Sequence, residues 1–408
     1  MTALYLYDDA KARAFEPFAL TRPASELRAG AEITRRRWER ALGARAAGFV
    51  GAAHLADFAE LDAPPAARGV LPADSVIANA RCLPSLAPAG AVDGARLWRC
   101  AGRVAAVRLA ADTPLDALPG LLDGTAELEA YAAEGAAATL DGRWLDEVWS
   151  LVATLTEQLA DDIPILAGEL ALRPEREVGA VAHVIGPAAA LHVEVGATVE
   201  PYTVFDVTAG PVLVRRGATV HAFTRVVGPC FIGEDSTVTA DRVAACSIGE
   251  RSRVHGEMSV TVVLGHANKS HDVFVGHSYL GRWVNLGAGT TTSNLKNTYG
   301  TVALWTPEGV RDTGLQFLGT LLGDHAKTGI GLRLTTGTVV GAGANVYGSA
   351  MPDKHVPPFA WGEGAALGAY RVDKFLDVAE RAMARRAVPL TAGGRAQLAA
   401  AYRRARPS

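Results

Sequence analysis

The sequence predicts two parts: an α/β domain with Rossmann-like layers, and then a parallel β-helix that ends in an α-helix. Three observations lead to this prediction. Before about residue 175, short apolar runs alternate with amphipathic segments, as they do in layered α/β domains. From about residue 184, apolar residues recur every six positions and are often followed by glycine. The length of 408 residues also exceeds what one core usually holds, which favours two domains.

The first part is predicted to contain strands and helices in turn. ALYLYDD at its start is typical of a short buried strand, and DSVIANARCL of another. Two further strands are predicted in LWRCAGRVAAVRL, on either side of Ala101 and Gly102. Helices are predicted for three amphipathic segments, ITRRRWERALGA, TAELEAYAAEGAA and WLDEVWSLVATLTEQLADDI.

The second part carries the six-residue repeat that is typical of a parallel β-helix. Its apolar residues are predicted to point into the prism, and the glycines that follow them suit its tight corners. Each coil has three faces and stacks on its neighbours. The core residues predicted from this repeat are Val214, Val220, Val226, Ile232, Val238, Phe274, Leu280, Leu286, Leu334, Val340 and Val346.

The change from alternating strand and helix patterns to the six-residue repeat gives the predicted domain boundaries. Residues 1–165 form the α/β domain, 166–183 a linker with an entry strand, 184–358 the β-helix, and 359–408 a helical tail. In the tail, VPPFAWGEG is predicted to be an exit loop, and YRVDKFLDVAERAMARRAV an amphipathic helix that closes the stack of coils.

Composition argues against several classes of protein. A formal net charge of −3 does not favour a nucleic-acid binder. The chain has no run of eighteen apolar residues and no secretory signal at its start, so neither a membrane span nor export is expected. The cysteines lack CxxC spacing, which argues against a zinc knuckle or a disulfide framework. We therefore expect a cytoplasmic protein that binds neither nucleic acid nor membrane; its four cysteines are Cys82, Cys100, Cys230 and Cys246.

Polar residues are concentrated within the repeat between residues 270 and 300. Positions predicted to face outward include His271 and His277 and the amides of Asn285 and Asn294. One interpretation is a solvated polar surface. The other is a cleft in which a neutral imidazole acts as general base and amides orient a substrate. The residues alone leave both open.

A zinc site is a further alternative for this region. His266, His271 and His277 are five and six residues apart, and neighbouring coils can bring histidines together around zinc, as in the γ-class carbonic anhydrases. A six-residue spacing, however, places residues on successive faces of one coil, so a site would need two subunits to converge. We therefore expect no bound zinc.

The segment GRWVNLGAGTTTSN resembles the acetyltransferase half of the bifunctional N-acetylglucosamine-1-phosphate uridylyltransferase/glucosamine-1-phosphate acetyltransferases, the GlmU type. In that family an Asn-(Ile/Leu)-Gly-Ala-Gly-Thr loop precedes a second asparagine. Here the loop begins at Asn285 and the second asparagine is Asn294. Fourteen residues before Asn285 lies His271, at the position where the family keeps its catalytic histidine.

The resemblance extends over nearly the whole chain to a GlmU-like subgroup of sugar nucleotidyltransferases. It rests on FEPFALTRPASELRAG, SVIANARCLP, GHANKSHDVFVGHSYLGRWVNLGAGTTTSNLKNTYG and LLGDHAKTGIG. It implies a nucleotidyltransferase-like first domain and a β-helix that winds left-handed.

The resemblance also implies acetyl transfer from acetyl-CoA to an amino-sugar phosphate. His271 would be the general base, and Asn285 would orient the sugar amine. Gly287, Ala288 and Lys327 would hold acetyl-CoA, with backbone N–H groups of the glycine-rich loop facing the developing oxyanion.

Three further residues are expected to bind the substrate of this reaction: Lys269, Asn294 and Lys296. The lysines would neutralise the sugar phosphate. The chain departs from the family pattern elsewhere, since Phe274 and Leu295 stand in place of tyrosines and Ser259 in place of a lysine. These departures leave the identity of the sugar open.

The first domain lacks the glycine-rich loop with which nucleotidyltransferases bind a nucleoside triphosphate. In its place, FALTRPASELRAG offers Arg22 and Arg28, whose guanidinium groups suit bidentate phosphate recognition. The alternative is that both arginines pair with Glu26 and with surface carboxylates.

The metal ligands of the first domain are also altered. Asn79, which we expect to bind substrate, begins the triplet Asn-Ala-Arg where relatives have the Gly-Asp that holds Mg²⁺. Arg81 therefore replaces a metal ligand. Asp8 or Asp9, at a strand end, could substitute for it, and the ligands of the metal stay unknown.

Together these expectations describe an enzyme of nucleotide-sugar synthesis. It would be a sugar-1-phosphate nucleotidyltransferase that uses an NTP, UTP in particular, with Mg²⁺, or an amino-sugar-phosphate N-acetyltransferase, or both. A homotrimer is expected, because isolated hexapeptide coils rarely complete an active site alone. The alternatives are that one activity is lost, that the chain is a non-catalytic sugar-phosphate- or nucleotide-binding regulator, or that it is a zinc enzyme resembling γ-carbonic anhydrases.

Overall fold

The structure is a computed structural model that describes residues 2–87, 94–132, 135–239 and 241–406. It divides into two compact units. The first comprises Met1–Val148 together with Val388–Ser408, and the second comprises Trp149–Ala387. The residues at which the two units divide therefore differ from the domain boundaries predicted from the sequence. The C-terminal segment Val388–Ser408 belongs to the first unit.

Helices occupy both units. The α-helices in the described residues are α1 (Ala10–Arg13), α2 (Thr34–Leu42), α3 (Ser150–Ala153), α4 (Leu155–Ala167), α5 (Glu175–Gly179), α6 (Val372–Ala384) and α7 (Ala392–Ala405). Short 3₁₀ helices span Ala24–Glu26, Ala53–Leu55, Leu115–Ala117, Leu128–Tyr131 and Ala188–Ala190. The predicted helices at α2 and α6 are confirmed, and the third, WLDEVWSLVATLTEQLADDI, is interrupted at Thr154, where α3 ends and α4 begins.

Two of the predicted segments differ in the structure. The helix predicted for TAELEAYAAEGAA is wrong, since the segment holds only a 3₁₀ turn, Leu128–Tyr131, and then enters the strand Ala137–Leu140. Pairing of that strand with Leu97–Cys100 outweighs the helical pattern; Ala133 and Glu134 lie outside the described residues. The predicted linker is also partly helical, because α4 continues to Ala167 and α5 follows.

A mixed six-stranded sheet forms the centre of the first unit. Its strands in spatial order are Ala137–Leu140, Leu97–Cys100, Arg103–Arg108, Val76–Asn79, Leu4–Tyr7 and Ala46–Val50. Leu4–Tyr7 runs parallel to both of its neighbours. The smaller pairs are Val70–Leu71 with Thr113–Pro114, Cys82–Pro84 with Gly142–Trp144, and Arg28–Ala29 with Glu32–Ile33. The strands predicted in this region are confirmed.

The second unit is a parallel β-solenoid with three ladders, so the predicted fold class is confirmed. The first ladder contains Ala182–Ile185, Thr203–Asp206, Thr224–Val227, Asp241–Ala244, Met258–Ser259 and Val275–Gly276. The second contains Leu191–Val193, Val212–Val214, Cys230–Ile232, Ser247–Ile248, Val262–Val263, Tyr279–Leu280, Thr320–Leu322, Thr338–Val340 and His355–Val356. The third contains Thr198–Val199, Thr219–Val220, Thr237–Thr239, Arg253–His255 and Asn268–Lys269, and then Lys327–Thr328, Asn345–Tyr347, Ala360–Glu363 and Ala366–Ala369.

The predicted repeat residues fill the prism with one exception. Ten of the eleven belong to a single buried cluster. The exception is Phe274, which is only half-buried, while its neighbour Val275 is fully buried in the prism. Val273 has a positive φ of 83°, and this left-handed residue shifts the register by one position. A Cβ on Gly276 would lie 2.2 Å from the Phe274 ring, so Phe274 packs outside over the next corner.

An excursion leaves the prism in the middle of the solenoid. The strand Thr291–Thr292 pairs with Arg333–Leu334. In the sequence between these two strands, Ala303–Thr306 and Gly309–Asp312 form an antiparallel hairpin that belongs to none of the three ladders. The Leu318 N–H donates to the Asn294 carbonyl at 3.0 Å, which closes the excursion at its base.

The end of the solenoid differs from the exit loop that we predicted for VPPFAWGEG. Ala360–Glu363 instead continues the third ladder and folds back in a hairpin with Ala366–Ala369. Helix α6 then packs through Phe375, whose ring centroid lies 5.0 Å from that of Phe359. In the described part of the chain, no helix combines the length and the apolarity that a membrane crossing requires.

Candidate active sites

Polar side chains of the first unit collect at the carboxyl end of two parallel strands. Asp8 and Asp9 follow the strand Leu4–Tyr7, and Asn79 ends the neighbouring strand, where it stands opposite Tyr7 in the register. Open α/β sheets bind ligands at this edge, where successive connections leave in opposite directions. The predicted residue Asn79 therefore lies where a substrate site is expected.

Arg81 binds Asp9 across this edge. Its Nε donates to Asp9 Oδ1 at 2.8 Å and its NH2 group to Oδ2 at 2.5 Å, and the Asn79 amide donates to the same carboxylate at 2.9 Å. Burial alone would raise the pKa of Asp9, but hydrogen bonds and the charge of Arg81 outweigh it and lower that pKa. Asp9 is thus held ionised by a cation that belongs to the chain itself.

The residues at this edge do not fit a resident Mg²⁺ ion. Both oxygens of Asp9 already accept from Arg81, so a metal would have to displace the guanidinium. Asp8 is buried, and its carboxylate accepts from the Ala24 N–H. Within the described ranges no group of three or more His, Cys, Asp or Glu side chains is arranged to hold a metal ion.

Asp8 lies beneath a fully buried segment. Every residue from 17 to 31 is buried, including Arg22 and Arg28, and the Ala24 N–H lies 3.1 Å from Asp8 Oδ2. Burial raises the pKa of Asp8 to about 7, against a smaller lowering by this hydrogen bond. The segment in which we expected the nucleotide phosphates to bind therefore packs against the strand end as part of the core.

Arg22 and Arg28 have intramolecular partners in this segment. Arg22 pairs with Glu60 at 2.9 Å, and Arg28 donates to the Ala31 carbonyl at 2.5 Å. Glu26, the partner considered in the alternative interpretation, instead binds Arg35. The structure therefore does not bring the two guanidinium groups together on an open surface.

The predicted residues of the second unit fall on separate faces and corners of the coils. Asn285 lies on the third ladder, bridged on one side to Asn268 and on the other to Lys327. The Asn268 amide donates to Asn285 Oδ1 at 2.9 Å. These three side chains form a polar stack over successive coils and line a cleft of about 350 Å³ beside α6. Burial lowers the pKa of Lys327 to about 8.

His271 lies at the corner that follows Asn268 and Lys269, and its side chain is exposed. Lys269 is 3% exposed and fixes the backbone of this corner. Its ammonium group donates to the carbonyl oxygens of His255 at 2.5 Å, His271 at 2.7 Å and Val273 at 2.8 Å. Lys269 therefore stabilises the loop that presents His271, and its ammonium group is bonded to backbone carbonyl oxygens.

Gly287 and Ala288, which we expected to bind acetyl-CoA, lie at another corner. Ala288 and Gly289 line an open groove of about 840 Å³, and Gly287 is not among its lining residues. The rest of the lining is Gly329, Ile330, Gly331, Tyr347, Gly348 and Ser349. The Gly287 N–H donates to Thr328, at 3.1 Å to the Thr328 carbonyl oxygen and at 3.0 Å to the Thr328 hydroxyl. The N–H groups of Ala288 and Gly289 have no hydrogen-bond partner in the part of the chain that the structure describes, so they are the available donors of this loop.

Asn294 and Lys296 belong to the base of the excursion. The Asn294 amide lies 2.8 Å from His277 Nδ1, and the His277 ring stacks on Phe317 with centroids 5.3 Å apart. Burial lowers the pKa of His277, which favours the neutral ring. Lys296 donates to the carbonyl of Thr301 within the excursion.

The three histidines considered for zinc have different surroundings. His266 Nδ1 lies 2.9 Å from the NH1 group of Arg282, and its ring contacts Trp283. His277 binds Asn294. His271 stands alone on its corner, so the described coils do not gather these rings around one point.

Two features were missed in the sequence. In the sequence Arg81 indicates only the loss of a metal ligand, whereas in the structure its guanidinium group pairs with Asp9. For α6 the sequence pattern indicates an apolar face and leaves its charge unnoticed. The signal that could have been read there is three arginines within six residues at its C-terminal end, Arg381, Arg385 and Arg386.

Comparison with known proteins supports the predicted resemblance. Residues 4–169 match the family model of sugar nucleotidyl transferases. A bifunctional sugar-1-phosphate nucleotidylyltransferase/acetyltransferase of Sulfurisphaera tokodaii is 30% identical over 100 residues, which are 24% of this chain and 25% of the relative. The bifunctional protein GlmU of Methanococcus vannielii is 28% identical over 109 residues, 27% of this chain and 25% of that one.

The chain thus matches about a quarter of the length of each of these curated relatives. Among solved structures, a hexapeptide transferase family protein from Anaplasma phagocytophilum aligns over 51% of this chain and 94% of its own, at 12% identity and a TM-score of 0.26. The predicted resemblance to sugar nucleotidyltransferases of the bifunctional type is confirmed by the family match and the two relatives.

Proposed function

We propose that this chain is a bifunctional transferase of nucleotide-sugar synthesis, in which the first unit transfers a nucleotidyl group to a sugar-1-phosphate and the solenoid transfers an acetyl group to an amino-sugar phosphate. One observation carries the proposal. A single chain joins a sugar nucleotidyl transferase match over residues 4–169 to a parallel β-solenoid that presents His271 on an exposed corner. The two relatives combine the same two activities in their names.

In the first unit the substrates are a sugar-1-phosphate and an NTP, UTP in our proposal. They bind at the strand ends near Asn79. Arg22 and Arg28 are the proposed phosphate ligands, and because both are buried, this binding requires the segment from 17 to 31 to move away from the strand end. Because Arg22 pairs with Glu60, binding exchanges that carboxylate for a phosphate oxygen. Mg²⁺ enters as part of the NTP complex, held by the substrate phosphates. The sugar phosphate oxygen attacks the α-phosphorus of the NTP, and pyrophosphate leaves.

In the solenoid, His271 acts as general base on the amino sugar. The amine nitrogen forms a bond to the carbonyl carbon of acetyl-CoA while the imidazole takes the amine proton. The C–S bond then breaks, and coenzyme A leaves as a thiolate that receives the proton. The exposed ring suits this role, and Lys269 supports it by fixing the corner from below.

Other predicted residues of the solenoid position the substrates. Asn285 orients the amine from the neighbouring coil, while Asn294 and Lys296 approach the sugar phosphate from the base of the excursion. The oxyanion of the tetrahedral intermediate is stabilised by backbone N–H groups of the Gly287 loop. Because the N–H of Gly287 is already bonded to Thr328, this role passes to Ala288 and Gly289.

These positions lie on different faces of one coil stack, which supports a homotrimer in which neighbouring chains complete each site. Acetyl-CoA then occupies the groove lined by Ala288 and Gly289, next to Gly287. We place the protein in the cytoplasm, where NTPs and acetyl-CoA are available.

A second candidate function is a regulator that binds a sugar phosphate or a nucleotide without turnover. The Asp9–Arg81 pair favours it for the first unit, because it fills the position of a metal ligand with a fixed cation. In that case the first unit binds its ligand and releases no pyrophosphate.

The test is turnover by the full-length protein with Mg²⁺, an NTP, acetyl-CoA and a panel of hexose- and hexosamine-1-phosphates. Pyrophosphate release reports the first reaction, and free thiol release the second. We expect His271→Gln to lower thiol release by about 100-fold or more, the usual contribution of a general base. The matched control is His183→Gln, at an exposed histidine in the first coil, which should keep both activities.

Each outcome decides between the candidates. Thiol release that survives His271→Gln contradicts the base assignment. Thiol release without pyrophosphate release limits catalysis to the solenoid, and the reverse limits it to the first unit. Binding of sugar phosphate with neither product favours the regulator.

A further inference from the structure

A cleft between the third ladder and helix α6 collects positive charge. We call it the arginine cleft and define it by its five cations, Arg253 and Lys327 from the coils and Arg381, Arg385 and Arg386 from the C-terminal end of α6. Its volume is about 350 Å³, within the range of about 300–1,000 Å³ that is typical of small-molecule sites. His271 is not among its lining residues, whereas Asn285 and Lys327 are, so the cleft adjoins the proposed acetyl-transfer site without containing its general base.

No carboxylate of the described residues lines the cleft to balance these charges. Among the described residues, none of the five cations has an Asp or Glu oxygen within 4.0 Å, and no acidic residue lines the cleft. The nearby carboxylate of Glu250 is already bound by Arg282 at 2.5 Å. A cleft lined by charge of one sign concentrates ions of the opposite sign.

The cations also repel one another. The pKa of Arg386 is lowered, first by burial and then by the charges of Arg253 and Arg385. Burial lowers the pKa of Lys327 as well. Groups whose environments disfavour their charged forms are stabilised when an anion enters between them, and such groups cluster at functional sites.

Helix stabilisation alone does not account for this arrangement. Arginines in a last turn offset the partial negative charge of a helix C-terminus, which amounts to about half an elementary charge. Arg381 in the last turn and Arg385 at the C-cap meet that need, whereas Arg386 lies past the end of α6, and Arg253 and Lys327 belong to the coils. The convergence of two separate elements on one cleft points to a bound ligand.

The rest of the lining suits an organic group. Asn268 and Asn285 present stacked amides beside Lys327, and their donors and acceptors can bind hydroxyl or carbonyl groups. Val284, Val378 and Trp283 supply apolar surface. The cleft thus combines cationic side chains with amide groups and apolar surface.

We propose that the arginine cleft binds a small organic molecule that carries a diphosphate or polyphosphate group. The phosphates lie among Arg253, Arg381 and Arg385, where guanidinium groups give bidentate contacts. The organic part lies over the amide pair of Asn268 and Asn285. The same chemistry is offered by coenzyme A and by a nucleoside diphosphate, and binding at this site does not require either proposed reaction to occur.

The experiment is a calorimetric titration of the full-length chain with inorganic pyrophosphate at about 0.15 M salt. The test variant is Arg381→Gln/Arg385→Gln. The control is Arg371→Gln/Lys374→Gln, which removes the same charge from exposed positions of the same helix region outside the cleft. We expect the test variant to bind at least about tenfold more weakly at this site, the equivalent of one strong contact, and the control to bind as the parent does.

Three results would overturn the proposal: no binding to the parent chain, equal affinity of the test variant, or equal weakening in test and control, which would indicate non-specific charge. A second measurement on the parent chain guards against misfolding of the variant. The NMR titration midpoint of the Lys327 ammonium should rise when pyrophosphate is bound, and an unchanged midpoint counts against the site.

The source of the phosphate is decided by repeating the titration with coenzyme A and with uridine diphosphate. Tighter binding of one of them than of pyrophosphate, lost in the test variant, identifies the organic part. If both bind no more tightly than pyrophosphate, the organic half of the proposal is wrong. Because binding is measured without turnover, failure of the proposed enzyme activity would leave this result unaffected.

Discussion

The charge on Lys327 should make the stability of the solenoid depend on pH in a way that can be calculated. Burial lowers the pKa of Lys327 from 10.5 to about 8 in the folded chain, while the unfolded chain keeps the higher value. Between these two values the unfolded chain binds more protons, so the free energy of unfolding rises with pH. Below pH 8 the folded chain bears the full cost of a buried ammonium group.

The size of the effect follows from the two pKa values. One pKa unit corresponds to about 1.36 kcal/mol, which gives about 2 kcal/mol between pH 7 and 9.5 for this single group. Screening at the mouth of the cleft lowers the value, so we expect about 1–2 kcal/mol. The arginines that line the cleft with Lys327, namely Arg253, Arg381, Arg385 and Arg386, are present in both proteins of the comparison below.

The assay is urea unfolding of the parent chain and of Lys327→Met at both pH values. From pH 7 to 9.5, we expect the free energy of unfolding to rise by about 1–2 kcal/mol more in the parent than in Lys327→Met. Lys269, whose pKa burial also lowers to about 8, is present in both proteins, so its contribution cancels. Lys374→Met, at an exposed position at the start of α6, should gain as much as the parent. An equal gain in Lys327→Met and the parent would refute the reasoning.

Three further predictions concern other parts of the chain. Arg81→Met leaves the carboxylate of Asp9 without its cation and should lower the free energy of unfolding by about 3 kcal/mol. The double variant Arg81→Met/Asp9→Asn should lose less, and equal losses in the single and double variants would contradict the pairing. Gly249→Ala places a Cβ 2.2 Å from the backbone of the next coil and should lower the free energy of unfolding, measured by thermal unfolding, by about 2–3 kcal/mol. In the control Gly179→Ala the added Cβ meets no atom within 4 Å, so the loss should be small. Similar losses in the two variants would count against the coil spacing. Lys269→Met removes the ammonium group that binds the carbonyls of His271 and Val273, and amide hydrogen exchange in this loop should become about 100-fold faster. An unchanged exchange rate would show that the loop keeps its structure without Lys269.

The solenoid could be predicted in detail because its pattern is local. Each coil repeats the same demand for an apolar residue inside and a small residue at the corner, so the period itself locates Val214, Ile232 and Val340 in the core. The prediction fails at Phe274, where one left-handed residue shifts the register. A periodic pattern cannot show such a shift, because the neighbouring Val275 is equally apolar.

The candidate sites were less predictable, because their geometry depends on partners that are distant in sequence. The partner of Arg81 is Asp9, and the partner of Arg22 is Glu60. No spacing rule links these pairs. Lys269 shows the same limit, since its position beside His271 suggested a phosphate ligand and only the fold shows that its ammonium group is bonded to backbone carbonyls. The residue types were informative, and the choice among their partners was made by tertiary packing.

The excursion has a consequence for how this chain can change. Its two ends meet at the hydrogen bond between Leu318 and Asn294, and the coil resumes with the Gly319 N–H bonded to the carbonyl of His277. Segments whose ends already touch can lengthen at little entropic cost and without disturbing the register of the scaffold. Val302 and Leu304 are fully buried within the excursion, so the place for change is the exposed turn of the hairpin at residues 307 and 308. That turn can be lengthened, or opened to create new termini, while the coils on either side keep their pairing.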